Sequence, residues 1–552
     1  MKLFRLLFLA GTVAAPRVVA AGGLFLPGAG AVSTSRAGAA VASADDGEAL
    51  VENPAGIAKA TGTTITISAA MLSYAMQFQR RGTYDAVPGE SYAYAGQPYA
   101  LEKNDASAPL GIGSVQPVPV IAVLTDLGGR VPGLHLGAGL YAPNAYPFRD
   151  LCTQLSGGCQ KYQFNQDFTV PPPGARYDVM KQEAAVFMPS LAVAYRVAPS
   201  FDVGLRLSAG QATLKSTTAL WASAGANYEE DVKKDGVFAI DAKDSFVPAF
   251  GLGVTYRPTP NLELGANYSS ELDIHAKGTA SSQLGPSAGL PPLSIAIRPV
   301  ADADAKCATG GADTALKACV DLALPMTAQL GGRYKFLDAA GRLAGDVELD
   351  LDWENWGKTC APAEFDSGAC LTASDYRVVV DAQAELADGG ALPIRPAVVK
   401  HGLQDSYAVR VGGSYHIPVG ARRDHDDSDE IIVRGGIGYD TAAARTGWLR
   451  ADLDGASRTT ITVGAAYRTR RFEVSAGGGA ILEGSQGNPN VGGGASPCNP
   501  TLDAPGCGAA GPQGPDPINP LNRANNQVES PVTQGDYQAH YVLFMLGVTT
   551  WF

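Results

Sequence analysis

From about residue 60 onward the chain is a succession of short segments in which apolar and polar residues alternate, joined in turn by a tight connection and a long one. Fourteen such segments read as strands: 62–80, 114–127, 134–146, 183–197, 201–221, 245–257, 261–279, 320–336, 343–356, 406–417, 430–441, 458–469, 471–483 and 537–552. A period of two puts successive side chains on opposite faces, so each strand has one apolar and one polar side. Connections after strands two, four, six, eight and twelve are tight, as in Ala198-Pro199-Ser200 and Pro258-Thr259-Pro260, while that after strand ten (418–429) is longer and charged. Those after odd strands are long: 81–113, 148–182, 222–244, 280–319, 357–405, 442–457 and 484–536. Short turns on one side, long loops on the other and an even strand count describe a transmembrane β-barrel of outer-membrane type with both termini periplasmic. A secreted β-solenoid would need a repeat of fixed length, and the sequence has none.

Two strands sort the faces most clearly. In the fifth, Phe201, Val203, Leu205 and Leu207 oppose Asp202, Gly204, Arg206 and Ser208. In the ninth, Val347, Leu349, Leu351 and Trp353 oppose Asp346, Glu348, Asp350, Asp352 and Glu354. A ladder of carboxylates cannot face lipid, so it faces the lumen. Arg333, Arg410, Arg434 and Arg468 lie on corresponding faces of nearby strands as candidate partners. Such a network either braces the wall and holds a plug or lines a charged conduit. In the last strand Leu543 and Met545 put apolar surface on the inner face, suited to greasy cargo or to packing against a plug. The terminal Phe552 resembles the signal read by the outer-membrane assembly machinery.

Composition excludes several classes. With 66 Gly and 17% charged residues, the chain is neither a disordered polyampholyte nor a typical soluble enzyme. Residues 1–20 carry Lys2 and Arg5, an apolar run and small residues ending in Val18-Val19-Ala20, the layout of a signal peptide cleaved before Ala21. No later segment reaches the roughly 18 apolar residues of a spanning helix, but a closed barrel crosses without one because its backbone groups are all paired. Loss of Lys2, Arg5 and Arg17 with the leader takes the net charge from −12 to −15. Basic residues do not cluster, which argues against nucleic acid as a partner. The cysteines fall in close pairs, each within one long loop: Cys152/Cys159, Cys307/Cys319, Cys360/Cys370 and Cys498/Cys507. In an oxidising compartment such pairs read as loop-stapling disulfides. The spacing lacks CxxC and no histidine stands close to a pair, so neither a metal nor another cofactor is expected.

Residues 21–61 are rich in Gly and Ala and lack strand alternation. Ser43-Ala44-Asp45-Asp46-Gly47-Glu48 reads as a helix start, with carboxylates near the positive end of the dipole. Asn53-Pro54-Ala55 reads as another, Asn53 capping and Pro54 at the first helical position. The stretch from Ala44-Asp45-Asp46 through Asn53-Pro54-Ala55-Gly56 resembles the N-terminal hatch of the FadL/TodX family, outer-membrane transporters of long-chain fatty acids and aromatic hydrocarbons. Further fragments stand in that family's order. Residues 250–256 and 264–269 resemble its central hairpin, Leu322-Ala323-Leu324-Pro325 precedes a strand ending in Trp353-Glu354-Asn355-Trp356, and 405–415 resembles its tenth strand.

The resemblance implies an all-β, 14-stranded antiparallel barrel over 62–552, plugged by a partly helical hatch over 21–61. It implies passage of hydrophobic small molecules, long-chain fatty acids foremost, across the outer membrane of a Gram-negative-type envelope; a lone barrel, a monomer, is the default expectation. Cargo captured between extracellular loops would reach a pocket above the hatch. Hatch movement, involving Asp45, Asp46, Asn53, Pro54 and Ala55, would then release it sideways at a kink in strand three. Gly137, Gly139 and Pro143 suit a break there, since Pro donates no ladder hydrogen bond, and the glycines would let the Asn53-Pro54-Ala55 turn dock. Alternatively, the glycines simply line the interior and Pro143 starts a loop. The resemblance assigns no ligand-binding residues. Each methylene gains ~0.8 kcal/mol on leaving water, so a lateral exit suits apolar cargo flowing downhill.

Enzyme signals are sparse. Gly285-Pro286-Ser287-Ala288-Gly289 matches the nucleophile-elbow pattern but sits in a Pro-rich loop rather than a strand–turn–helix. The histidines (His135, His275, His401, His416, His425 and His540) are dispersed without HExxH spacing. Asp302/Asp304 and Asp426/Asp427/Asp429 have the chemistry of Ca²⁺ ligands or of plain exposed acidic loops. The expectation is a transporter rather than an enzyme, with an outer-membrane lipid hydrolase and a structural or adhesive barrel as alternatives.

Overall fold

The computed structural model describes residues 25–108, 113–143, 148–152, 170–220, 230–287, 296–301, 305–307, 316–358, 375–385, 390–394, 397–399, 401–419, 429–445, 448, 450–453, 455–487 and 535–552. Residues 1–24, which include the expected leader, and Cys159, Cys360, Cys370, Cys498, Cys507, Asp302, Asp304, Asp426, Asp427 and His425 lie outside the described residues.

Fourteen strands build one closed wall. They are β1 (Thr63–Arg80), β2 (Val115–Thr125), β3 (Leu134–Tyr141), β4 (Lys181–Ala198), β5 (Phe201–Leu220) and β6 (Gly236–Tyr256). β7 has two parts, Leu262–Ser269 and Leu272–Leu284, as does β8, Leu316–Leu324 and Thr327–Leu337. β9 (Leu343–Glu354), β10 (Ser406–Val419), β11 (Asp429–Asp440), β12 (Arg458–Arg468), β13 (Phe472–Gly487) and β14 (Gly535–Trp551) complete the circuit. Each strand pairs antiparallel with the next. β1 closes on β14 in one unbroken register from Thr64↔Trp551 to Arg80↔Gly535, so no edge is left to the bilayer.

The alternation read from the sequence becomes inside and outside. Leu207, Leu349, Leu351, Val463, Phe544 and Leu546 point outward and are exposed, whereas Asp202, Arg206, Glu348 and Asp350 point inward and are buried. Exposed aromatics mark both rims of the apolar band. Tyr407 and Tyr415 on β10 stand roughly 27 Å apart along the strand at ~3.4 Å per residue, or about 20 Å of height at the usual tilt of about 35–45°, within the band of about 25 Å in such barrels.

The wall rises well above that band on the long-loop side. β4, β5 and β6 have 18, 20 and 21 residues, where about 9–11 suffice to span. β6 begins at Gly236, nine residues ahead of the sequence expectation. The connection 357–405, read as loop, supplies the strand Tyr376–Glu385, which pairs with the Leu316–Leu324 part of β8 and extends the rim. Its alternation is short and mixed with loop residues, which is why periodicity alone missed it. In the same region Cys307 and Cys319 are bonded as expected from their pairing. Cys152 is also disulfide-bonded.

Candidate functional site: the hatch and the cavity above it

Three short turns of helix make the hatch: Ala31–Ser35, Ala49–Glu52 and the 3₁₀ turn Pro54–Lys59. Propensity cannot hold helices this short, so the wall holds them through hydrogen bonds. Asp350 accepts the backbone N–H groups of Ala40 (2.8 Å) and Val41 (3.0 Å), and Glu348 those of Ala42 (2.6 Å) and Ser43 (3.2 Å). Arg36 spans Asp346 and Glu348, each at 2.9 Å. Lys59 reaches Glu263 at 2.8 Å. Within the hatch, Glu48 accepts from the N–H groups of Val32 and Ser33 at the start of the first turn and from Ser68 Oγ of β1. The carboxylate ladder thus braces a plug, the first of the two roles its sequence allowed.

The arginine partners are corrected in part. Arg333 pairs with Asp346 and Arg410 with Asp352, but Arg434 and Arg468 both pair with Glu473 of β13 instead. Arg468 sits on β12, next to β13, and Arg434 on β11, two strands from β9 and two from β13; face alternation cannot reveal which neighbour is chosen. Arg36 was missed, although a signal existed: Arg36 and Lys59 are the two cations in the 21–61 segment, and both dock on wall carboxylates.

Asn53 caps as expected. Its Oδ1 accepts from Ala55 N (3.0 Å), while its Nδ2 donates to Val41 O and to Val254 O of β6. Pro54 opens the 3₁₀ turn. The docking place differs from the expectation. A Cβ at Gly204 would collide with Pro54 C, and one at Gly253 with Asn53 Oδ1, so the Asn53-Pro54-Ala55 turn docks on β5 and β6. At β3 the hatch presents Ile57 to Gly137 and Leu50 to Gly139. The helix expected from Ser43 begins only at Ala49; Asp46 Oδ1 accepts from Glu48 N in the turn ahead of it. Asp45 is exposed, and with Asp46, Arg36, Arg333, Arg434, Arg468 and His416 it lines a cavity of about 50 Å³ near the short-turn ends of the strands.

The β3 ladder to β4 is described as far as Tyr141↔Met188, and the next described pair on that side is Arg149↔Gln182. On the other flank the β2 ladder runs to Val120↔Tyr141, with Ala142 N–H donating one more bond to Pro119 O (3.4 Å). Ala142 and Pro143 follow the end of the strand, and residues 144–147 lie outside the described residues. Beside the end of β3 is the larger cavity, about 140 Å³. The hatch contributes Phe25, Leu26 and Val51; Tyr141, Ala142 and Pro143 line it at the end of β3. Leu543 and Met545 do not reach this lining; they are buried in a cluster with Ala31 and against Leu26, which explains their apolar inner face by plug packing.

Among the described residues no group of three or more His, Cys, Asp or Glu is arranged to hold a metal ion. Ser287 of the elbow-like pattern is described, but Ala288 and Gly289 lie outside the described residues.

A wall closed between β1 and β14, a lumen stopped by a wall-bonded N-terminal segment and a cavity between that stopper and the end of β3 define a hatch-plugged β-barrel channel. A family model described as outer membrane protein transport protein (OMPP1/FadL/TodX) matches residues 12–477, and the chain belongs to that family. Its members are outer-membrane transporters rather than enzymes. Among solved structures, a Pseudomonas aeruginosa FadL homologue is similar at a TM-score of 0.62 and 13% identity, covering 96% of this chain and 100% of that one. The P. putida toluene transporter TodX follows at 0.54 and 12%, covering 96% and 99%. The Ralstonia pickettii toluene transporter TbuX gives 0.52 and 14%, again covering 96% and 99%. At these identities the structural likeness carries the fold. No curated protein matches the chain.

Proposed function

We propose that this protein carries hydrophobic small molecules, long-chain fatty acids foremost, passively across the outer membrane, with the hatch as gate and the end of β3 as a lateral exit. The observation that carries this reading is the cavity enclosed by hatch residues on one side and by Tyr141, Ala142 and Pro143 on the other. A molecule there touches both the stopper and the end of β3. Capture falls to the extracellular loops above the raised wall. Movement of the hatch lets cargo leave sideways, where apolar surface is favoured by ~25 cal/mol per Å² over water. The pore acts as a monomer with its termini periplasmic.

The test is uptake of labelled oleate by cells lacking their own fatty-acid transporter and expressing this protein or Pro54→Leu. Pro54 is preset for the first position of its turn, and its backbone rests against Gly204. The expected result is oleate uptake by the wild type and a several-fold loss in the variant, with an unchanged heat-modifiable band. Equal uptake by both proteins removes the gating role; no uptake by either removes fatty acids as cargo.

One observation favours a second cargo class. A cavity of about 140 Å³ is the size of the roughly 150 Å³ apolar cavity that holds benzene, and two of the similar solved structures are titled toluene transporters. Labelled toluene in the same cells separates the two classes.

A further inference from the structure

The wall beside the larger cavity has a slit between β6 and β7, three strands beyond β3. β7 pairs with β6 from Leu264↔Tyr256 up to Ser269↔Gly251, and the ladder resumes at Lys277↔Lys243. Both strands advance eight residues between these pairs, so the register is unchanged, and 244–250 run beside 270–276 without ladder pairing. The local sequence accounts for this. Pro248 has no N–H to give a ladder, and β6 shifts register against β5 between Gly210 and Ala212, a irregularity that bends a strand. On its other flank β7 skips two residues in its ladder with β8, Ser270-Glu271 against Pro325-Met326.

Side chains tie the two ends of the slit. Asp244 accepts the N–H of Phe246 (2.9 Å) and, across the slit, that of His275 (2.8 Å). At the other end Ser270 donates its N–H to Phe250 O (2.9 Å), and its Oγ accepts from Phe250 N (3.0 Å). Between these ties apolar packing closes the wall: Val247, Leu272 and Ile274 share one buried cluster, against which Ala249 packs. Glu271 and His275 are drawn away from β6, the first by Lys358 and the second by Asp321 of β8. Ala249, Ser270 and Leu272 line the cavity on the inner side, while Phe246 and Phe250 are exposed on the outer side.

The slit lies at the level of the outer leaflet. Tyr256 marks the short-turn end of β6, and at ~3.4 Å per residue and a tilt of about 40° Phe250 stands roughly 16 Å above it and Phe246 roughly 26 Å, near the top of a band of about 25 Å. Lys243 and Lys277, exposed at the next pair, continue into the head-group region. Parting paired strands in hydrocarbon leaves backbone groups without partners. Parting this slit breaks no ladder pair, and the apolar side chains that separate meet acyl chains or cargo as apolar as themselves.

We propose that the slit is a lateral entry port, through which apolar cargo dissolved in the outer leaflet passes between β6 and β7 into the cavity without crossing the long connections above. The port rests on the transport reading above and adds a second way in. Apolar molecules arriving from water collect in the bilayer, so the leaflet itself becomes the reservoir from which the cavity fills.

The test uses the full-length protein in phospholipid nanodiscs that carry a hexadecane analogue bearing a photoreactive diazirine, with labelled residues mapped by peptide mass spectrometry. Gln329 of β8 lines the cavity, and Leu252 of β6 is exposed on the outside. In the wild type both are expected to be labelled. Ala249→Trp should stop the slit, lowering Gln329 labelling at least fivefold while Leu252 is labelled as before. Ala142→Trp adds the same bulk to the lining at the end of β3 and should leave Gln329 labelling within twofold. Labelling of Gln329 that survives in Ala249→Trp, or that falls equally in both variants, overturns the port. Should a tryptophan variant fail to fold, Ala249→Leu and Ala142→Leu are compared in the same way, with a threefold fall expected for Ala249→Leu alone. An unlabelled Gln329 in the wild type also defeats the port. Uptake of oleate or toluene by cells expressing the same protein then leaves the transport reading standing, and uptake of neither defeats that reading as well.

Discussion

Glu348 is fully buried and spends both oxygens on the hatch, one on the N–H groups of Ala42 and Ser43 and one on Arg36. Its removal leaves two backbone donors unpaired and Arg36 with half its counter-charge. Breaking a buried ion pair by deleting one partner costs about 3–5 kcal/mol, a cost borne by the hatch because the strand ladders of β9 do not involve this side chain. Glu348→Ala is therefore expected to fold into a heat-modifiable barrel with a loosened plug. Planar-bilayer recordings check it: the variant should show larger and noisier conductance than the wild type, and identical traces would mean that Asp350 and Lys59 hold the hatch without it. The ladder itself was legible, because strict alternation of carboxylates with Val347, Leu349 and Leu351 leaves only the lumen for the charges. What each carboxylate would hold was not. Arg36 and Glu348 are separated by hundreds of residues, and their pairing is set by how the plug sits in the barrel.

At the scale of elements, the alternating strands and the capped Asn53-Pro54 turn were readable because both are local, carried by period-two faces and by a cap with its proline. The docking of that turn on Gly204 and Gly253, rather than on the glycines of β3, was not readable. Many lumen-facing glycines satisfy the same local rule, and only the assembled curvature chooses among them. The long connections were also opaque, since their order comes from contacts between distant loops. One of these contacts makes a pH prediction. Glu102, in the short strand Leu101–Lys103 that pairs with the upper end of β1, accepts the N–H groups of Gly174 and Ala175 from another connection. Burial pushes its carboxyl up to about 7, outweighing the lowering by those N–H groups and by Arg80. Because the folded pKa is raised, the group's contribution is fully present below the ordinary 4.5 and is lost as pH rises through 7. Asp235, raised to about 6 by burial, acts in the same direction. Amide exchange at 174–175, corrected for intrinsic rates, should therefore speed up between pH 4.5 and 7, and Glu102→Gln should flatten most of that rise. A rise of equal size in the variant would assign the effect to Asp235 and its partners.

For the whole molecule, closure is the decisive event, because fourteen strands become stable in a bilayer only when β14 meets β1. Phe552 sits at that seam: its N–H donates to Thr63 O, and its carbonyl accepts from Thr63 N. The residue is 79% exposed and so adds little packing within the finished barrel. We propose that this aromatic, which follows the closing strand and contributes little to stability, acts in assembly, read by the machinery that inserts the chain. The two roles separate experimentally. Phe552→Ala should markedly reduce the heat-modifiable protein recovered from cells, while refolding from urea into detergent proceeds with a yield and unfolding midpoint close to the wild type, since the seam's backbone hydrogen bonds do not need the ring. Equal losses in cells and in detergent would instead assign Phe552 to the stability of the seam, and the lipid-facing ring would then be a packing element of the closed wall.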